Sequence, residues 1–191
     1  MSFKVLVIPE DPTHNGYILK PLVKRILSDV GKPNAKVTVL TNPRLRGYDQ
    51  AVKAIRDGTL NRYKFFNLWL FIPDADRALP NAVERLEHDL EKKSIPLICC
   101  PAQPEVEIYT CVHFRKDIAV SWEGLRKAES MKENYFEPLL KKYGDPRRAG
   151  GGRDLMINKS LSNLQLLYQL CPELEDLKKR IQKYCLNSDN S

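Results

Sequence analysis

Two apolar runs that end at a proline constrain the fold of this chain most strongly. Phe3 to Ile8 (FKVLVI) is a continuous run rich in β-branched residues and stops at Pro9. Phe66 to Ile72 (FNLWLFI) is a second such run and stops at Pro73. Runs without polar alternation are typical of strands buried on both faces, as in a parallel sheet. The chain is therefore expected to build its core around a parallel sheet.

Two further buried strands and three helices complete this pattern. The runs at Ala35 to Leu40 and Ile95 to Cys100 predict the additional strands. Between strands, segments with helical spacing or helix-like composition occur at Tyr17 to Val30, Tyr48 to Asp57 and Asn81 to Lys93. The order βαβαβαβ predicts an α/β fold, a Rossmann-like four-stranded parallel sheet with helices on both faces.

The remainder of the chain is expected to be helical. Helices are predicted near Glu133 to Tyr143, from Asn158 to Leu170 and from Pro172 to Cys185. The third begins with a proline, which the first turn of a helix tolerates. We therefore expect an α/β domain over residues 1–116 and a helical C-terminal extension over residues 117–191 that packs on it.

Charge and cysteine content narrow the classes of function. The 191 residues carry 31 basic and 24 acidic side chains, a formal charge of +7 that suits a partner bearing phosphates. The five cysteines form no CxxC pair, so neither a zinc site nor a disulfide framework is predicted. The first apolar run is too short for a signal peptide, and no run is long enough to span a membrane. We expect a cytoplasmic protein with no membrane partner.

Acidic residues follow two of the predicted strands. Glu10 comes directly after the first strand and its proline, and Asp74 and Asp76 follow the strand that ends at Ile72. If these strands are neighbours, their carboxyl ends bring three carboxylates together, and such a group repels itself unless a cation lies between them. Mg²⁺ or Mn²⁺ is the expected ion, because both prefer oxygen ligands. A lone D-x-D is also common at turns and helix N-caps, so the pairing with Glu10 is what favours a metal site.

These motifs resemble those of a known family. The segments V-L-V-I-P-E at the first strand and L-W-L-F-I-P-D-A-D at the third are similar to the Toprim domain over about residues 3–115. That domain is shared by topoisomerases, DnaG-type primases, small ribonucleases and the nucleases of the overcoming-lysogenisation-defect group. The resemblance implies a Toprim-like sheet in which Glu10, Asp74 and Asp76 bind the metal ion.

The first motif departs from the family pattern. The glutamate of Toprim proteins is usually followed by a glycine and then by another acid, whereas Glu10 is followed by Asp11, and His14 and Asn15 stand in the region of the second acid. The second metal position is therefore left open. In small stand-alone Toprim-like proteins found beside ATPases in phage-defence loci, a proline, a glutamate and an aromatic-rich helix follow the fourth strand. Residues 104–109 (PEVEIY) are similar, which implies that Glu107, or else Glu105, adds a carboxylate.

The function that this resemblance implies is metal-dependent hydrolysis of phosphodiester bonds in DNA or RNA. Its catalytic residues would be Glu107 and the three metal-binding acids, and its partners would be nucleic acid and an ATPase. Arg153 and Lys159, on or just after the glycine run 150–152, are expected to neutralise charge on the phosphate, and His14 to contact substrate. The glycine run lacks the spacing of a Walker P-loop, and a connector is the other interpretation.

Two other classes of function remain open at this stage. In the first, the Toprim-like site is catalytically degenerate and the protein is a binding or regulatory module for a partner protein, which the irregular motif around Glu10 favours. The second is a small-molecule nucleotide-binding protein of flavodoxin-like or receiver-like topology, which the absence of a glycine-rich loop after the first strand disfavours. The sequence also leaves open a homo-oligomer.

Overall fold

The computed structural model describes residues 2–76, 78 and 80–189. The strands are β1 (Lys4–Pro9), β2 (Lys36–Val39), β3 (Leu68–Ile72) and β4 (Leu97–Cys99). The α-helices are α1 (Gly16–Asp29), α2 (Tyr48–Arg56), α3 (Pro80–Glu91), α4 (Ile108–Phe114), α5 (Trp122–Arg126), α6 (Glu137–Tyr143), α7 (Arg153–Leu161), α8 (Leu164–Leu170) and α9 (Pro172–Asp189). Short 3₁₀ turns lie at Asn61–Tyr63, Arg115–Asp117 and Ala149–Gly152, and a π-helical stretch, Lys132–Phe136, precedes α6.

The sheet has four strands in the order β2-β1-β3-β4, and every pairing is parallel. In register, Val7 of β1 lies beside Val39 of β2 on one side and Leu70 of β3 on the other. The predicted α/β fold with a four-stranded parallel sheet is confirmed. Because β1 and β3 are neighbours, the residues that follow them meet at the same edge of the sheet.

Two hydrophobic clusters cover the two faces of the sheet. Val5 and Val7 point into a cluster that includes residues of α1, α4 and the C-terminal helices, whereas Leu6 and Ile8 point into a cluster with α2 and α3. Successive side chains of a strand alternate between faces. With both faces covered, every position along β1 is apolar except its first, which explains the uninterrupted run in the sequence.

The C-terminal helices share the larger cluster with the sheet. Ile157 of α7, Leu167 of α8 and Ile181 of α9 are buried in the same cluster as Val5, and α7 contacts both α1 and α4. The boundary between residues 116 and 117 stays a prediction. Among the residues that the structure describes, no helix is long and apolar enough to cross a membrane.

The prediction of one helix from Asn158 to Leu170 was wrong. The segment forms α7 and α8, separated at Ser162 and Asn163. The Asn163 side chain accepts a hydrogen bond from the Leu166 N–H at 3.0 Å, which is the contact of an N-cap. The apolar periodicity continues through the break, so it conceals the new helix start.

The glycine run before α7 is folded into the body of the protein. Gly150, Gly151 and Gly152 all have positive φ angles, a region that residues with a Cβ rarely adopt. A Cβ on Gly150 would clash with the ring of Tyr17 on α1. The glycines are therefore needed for a tight turn against α1.

Candidate functional site

Glu10 lies at the carboxyl end of β1 and is held by backbone donors from two other elements. Its Oε1 accepts the N–H of Tyr48 at 3.0 Å, and its Oε2 accepts the N–H of Asp74 at 3.2 Å. Tyr48 is the first residue of α2, whose positive dipole end therefore lies against the carboxylate. The preceding Gly47 has a φ of 86° and donates its own N–H to the Glu10 carbonyl at 3.2 Å. The turn before α2 thus fixes this carboxylate.

Asp74 lies next to Glu10, just beyond β3. It forms an isolated parallel bridge with Ala102, which brings the loop after β4 beside it. The N–H of Val106 in that loop donates to Asp74 Oδ1 at 2.9 Å. The pKa of Asp74 is raised to about 7, chiefly by burial and also by the nearby carboxylates of Glu107 and Glu10, while the bond from Val106 acts in the opposite direction.

The loop between β4 and α4 contributes two more acids. Burial raises the pKa of Glu105 to about 7, together with the charge of Glu107, while Lys132 acts in the opposite direction. Glu107 is almost completely buried, with 1% of its surface exposed, and forms an ion pair with Lys132 Nζ at 3.0 Å. Burial alone would lower the pKa of Lys132, but the surrounding carboxylates raise it above its usual value. Glu107 therefore already has a cationic partner supplied by the chain.

A cavity of about 560 Å³, here called the acidic cavity, is lined by Glu10, Asp74 and Glu105 but not by Glu107. One wall is formed by Glu10, Asp74, Asp76 and Glu105, and the other by residues 126–129, 132 and 133. The second wall comes from α5, the connection after it and the start of the π-helical stretch. π-Helical turns are rare and are often found at functional sites. Sequence reasoning missed this wall, because nothing local in residues 126–133 indicates which surface they cover.

The structure brings Glu10, Asp74 and Asp76 to the acidic cavity, with Glu105 and not Glu107 as the additional carboxylate. It does not bring the predicted basic residues there. Arg153 is buried, its guanidinium lies 5.2 Å from the centre of the Phe136 ring, and its Nη1 donates to the Gly150 carbonyl at 3.0 Å. Lys159 is exposed on α7, and His14 contacts Asp11 at 3.3 Å in the loop after β1. None of the three lines the acidic cavity. Of the residues that the structure describes, Arg126, Lys127 and Lys132 are the cations that line it.

The donor chemistry of the acidic cavity fits a hard divalent cation. Glu10 and Asp74 both line the cavity and are joined by the bond from the Asp74 N–H to Glu10 Oε2. Within the described residues, no group of three or more His, Cys, Asp and Glu side chains is arranged to hold a metal ion. Magnesium is commonly bound by one or two carboxylates, with water and phosphate oxygens completing the shell. The two carboxylates fit that mode of binding and not an all-protein cage.

Comparisons of the chain with protein-family models, with curated proteins and with solved structures return no match. The function is therefore inferred from the geometry and charge of the site.

Proposed function

We propose that the acidic cavity binds Mg²⁺ or Mn²⁺ through Glu10 and Asp74 and that the protein hydrolyses phosphodiester bonds in DNA or RNA. The observation that carries the proposal is the convergence of these two carboxylates at the carboxyl edge of adjacent parallel strands. That edge is where open α/β sheets bind ligands. The Toprim resemblance of the strand motifs points to the same chemistry.

Each side chain of the acidic cavity has a distinct role in this proposal. A divalent ion bound here supplies Lewis-acid activation of a phosphoryl oxygen and of an attacking water. Glu10 is oriented by two backbone N–H groups and Asp74 by one, so both are positioned before any ligand arrives. Asp76 lies at the rim of the cavity and is exposed. Glu107 acts at a distance, through its ion pair with Lys132.

The overall charge supports nucleic acid as the substrate. The chain carries a formal charge of +7, although its proposed site is rich in acids. A polyanion is attracted to the molecule as a whole, and a divalent cation lets its phosphate enter a negative cavity. By family resemblance, the proposal extends to an ATPase partner in a phage-defence system.

A cleavage assay tests this function. Wild type is incubated with labelled single- and double-stranded DNA and RNA, with Mg²⁺, Mn²⁺ or chelator. Cleavage that needs the ion and falls at least about 100-fold in Asp74→Ala/Asp76→Ala is expected, given what removing a key electrostatic group typically does. The matched control is Asp89→Ala/Glu91→Ala, which removes two exposed acids with the same spacing from α3. Equal cleavage by the two double variants would overturn the assignment of the site.

One observation favours the alternative of a binding module without catalysis. Lys132 already supplies a cation to the acids, and the described residues contain no arrangement of three metal ligands. In that case the acidic cavity receives a cationic group of a partner protein instead of a metal ion. This function is supported if wild type cleaves none of the four substrates and binds neither metal ion.

A further inference from the structure

A second cavity lies beside the acidic one, at the ends of β3 and β4. Its volume is about 750 Å³, and we call it the β4 cavity. It lies between α3 and α9, and it shares Ala75, Gln103 and Arg126 with the acidic cavity. The two cavities are thus neighbours along the same edge of the sheet, with Arg126 at their boundary.

The floor of the β4 cavity is apolar. It includes Cys99 and Cys100 at the end of β4, together with Ala78 and Val83 from the segment around the start of α3. Burial raises the pKa of both thiols far above its usual value, so the cysteines are neutral. Such an apolar lining suits the apolar part of a ligand.

The guanidinium groups of Arg126 and Arg180 line the β4 cavity, and hydrogen bonds to carboxylates hold both in place. Arg126 makes a two-point contact with Glu173, at 3.1 Å and 2.9 Å, and also donates to the Leu170 carbonyl at 3.3 Å. Arg180 donates from Nη2 to both carboxylate oxygens of Glu87, at 2.8 Å and 2.7 Å. Both guanidiniums line the cavity, and arginine planes are common stacking partners for nucleobases.

Carboxylates also line opposite walls of the β4 cavity. Glu84 is an exposed residue of α3, and Asp176 is an exposed residue of α9. Carboxylates accept hydrogen bonds from the exocyclic amino groups of bases, as from N4 of cytosine. Thymine and uracil lack such an amino group and offer a carboxylate only their ring N3–H. The walls therefore match adenine, cytosine or guanine better than thymine or uracil.

From these features we infer that the β4 cavity holds an unstacked nucleobase of the strand whose phosphate lies in the acidic cavity. The inference rests on the proposed function, because it needs a nucleic-acid substrate at Glu10 and Asp74. Arg126, shared by both cavities, lies where the link between that base and that phosphate would pass. The substrate class follows: a single strand, or a duplex that is locally opened, because a paired base cannot enter.

An abasic scan of the wild-type protein tests the inference without any substitution. Fluorescent single-stranded DNA oligonucleotides, or RNA if RNA is the substrate that is cut, each lack one base, and their affinities are measured by anisotropy with Ca²⁺ in place of Mg²⁺. One position is expected to lower affinity about tenfold, in the lower part of the range that stacking of a base contributes. Oligothymidine is expected to bind more weakly than oligodeoxycytidine.

A variant that fills the β4 cavity tests the base site independently, through its affinity for the oligonucleotide. Asp176→Trp places a large side chain at the β4 cavity, and Lys183→Trp, at an exposed position of α9 that does not line the cavity, is the matched control. Asp176→Trp is expected to bind the intact oligonucleotide as weakly as wild type binds the abasic one, and to be insensitive to the missing base. Lys183→Trp should behave as wild type.

The outcomes separate this inference from the proposed function. If no abasic position matters, or if the two tryptophan variants bind alike, the base site is wrong, while ion-dependent cleavage and its loss in Asp74→Ala/Asp76→Ala leave the proposed function intact. If wild type neither binds nor cleaves any oligonucleotide, the proposed function fails and the base site fails with it.

Discussion

The two cavities at the carboxyl edge of the sheet differ in how the charge of their carboxylates is neutralised. In the β4 cavity, Glu87 and Glu173 are each matched by an arginine in a two-point ion pair. In the acidic cavity, Glu10, Asp74 and Glu105 lie near one another, and the pKa values of the latter two rise to about 7. The matched pairs join α9 to α3 and to α5, whereas the crowded acids oppose folding at neutral pH. A cluster of carboxylates with raised pKa values, close to carboxylates that are neutralised by arginines, is typical of a functional site.

Glu107 belongs to the crowded acids but, like the acids of the β4 cavity, has a cationic partner, Lys132. Breaking this ion pair should give the largest loss of stability. Lys132→Met leaves the buried Glu107 without its ion-pair partner, which should lower the free energy of unfolding by about 3 kcal/mol. Urea unfolding at pH 8 measures the change. Adding Glu107→Gln to Lys132→Met should restore more than half of the loss. A Lys132→Met protein as stable as wild type would show that the pair does not neutralise the site.

The pair between Arg180 and Glu87 should give the next largest effect. Arg180 Nη1 also donates to the Cys99 carbonyl at 3.0 Å, and Glu87 accepts the Cys99 N–H at 2.6 Å, so the pair closes the open side of the edge strand β4. Arg180→Ala is expected to lower the free energy of unfolding by about 2 kcal/mol, since the pair is partly exposed. The control is Lys179→Ala, which removes an exposed i,i+4 pair with Glu175 and should change stability by less than about 0.5 kcal/mol. Equal losses in the two variants would contradict the role of the pair.

The third effect, at Asp74, has the opposite sign. The folded-state pKa of Asp74 is about 7, above its ordinary 3.8, so the folded protein binds more protons than the unfolded chain between these values. Stability therefore falls as the pH rises through that window, and the penalty is fully present at pH 8. Asp74→Asn should raise the free energy of unfolding of metal-free protein at pH 8, because asparagine cannot ionise. The gain should shrink as the pH is lowered towards 4, and a loss of stability at pH 8 would contradict the comparison.

Much of the fold was predictable because its signals are local. The runs around β1 and β3 are apolar on both sides and end at prolines, which identifies buried parallel strands without further information. The break between α7 and α8 escaped prediction because the apolar spacing continues across Asn163, whose side chain caps the new helix. The start of α8 depends on this capping hydrogen bond, which the spacing of apolar residues does not reveal.

In the candidate site, too, some residues were predictable from the sequence and others were not. The convergence of Glu10 and Asp74 follows from their places after neighbouring strands, so topology was sufficient to predict it. Lys132 and Arg126 come from the chain beyond the sheet, and their approach to the acids depends on the packing of the C-terminal helices. Arg153 was expected to face substrate on the basis of the glycine run, but its guanidinium lies over Phe136, inside the fold.

The central claim is that the acidic cavity holds a divalent cation, and calorimetric titration with Mn²⁺ tests it most directly. Wild type should bind the ion, and Asp74→Ala/Asp76→Ala should not, while Asp89→Ala/Glu91→Ala should bind as wild type does. The account is contradicted if wild type shows no binding in the presence or absence of an oligonucleotide, or if the variant lacking Asp74 and Asp76 binds Mn²⁺ with unchanged affinity.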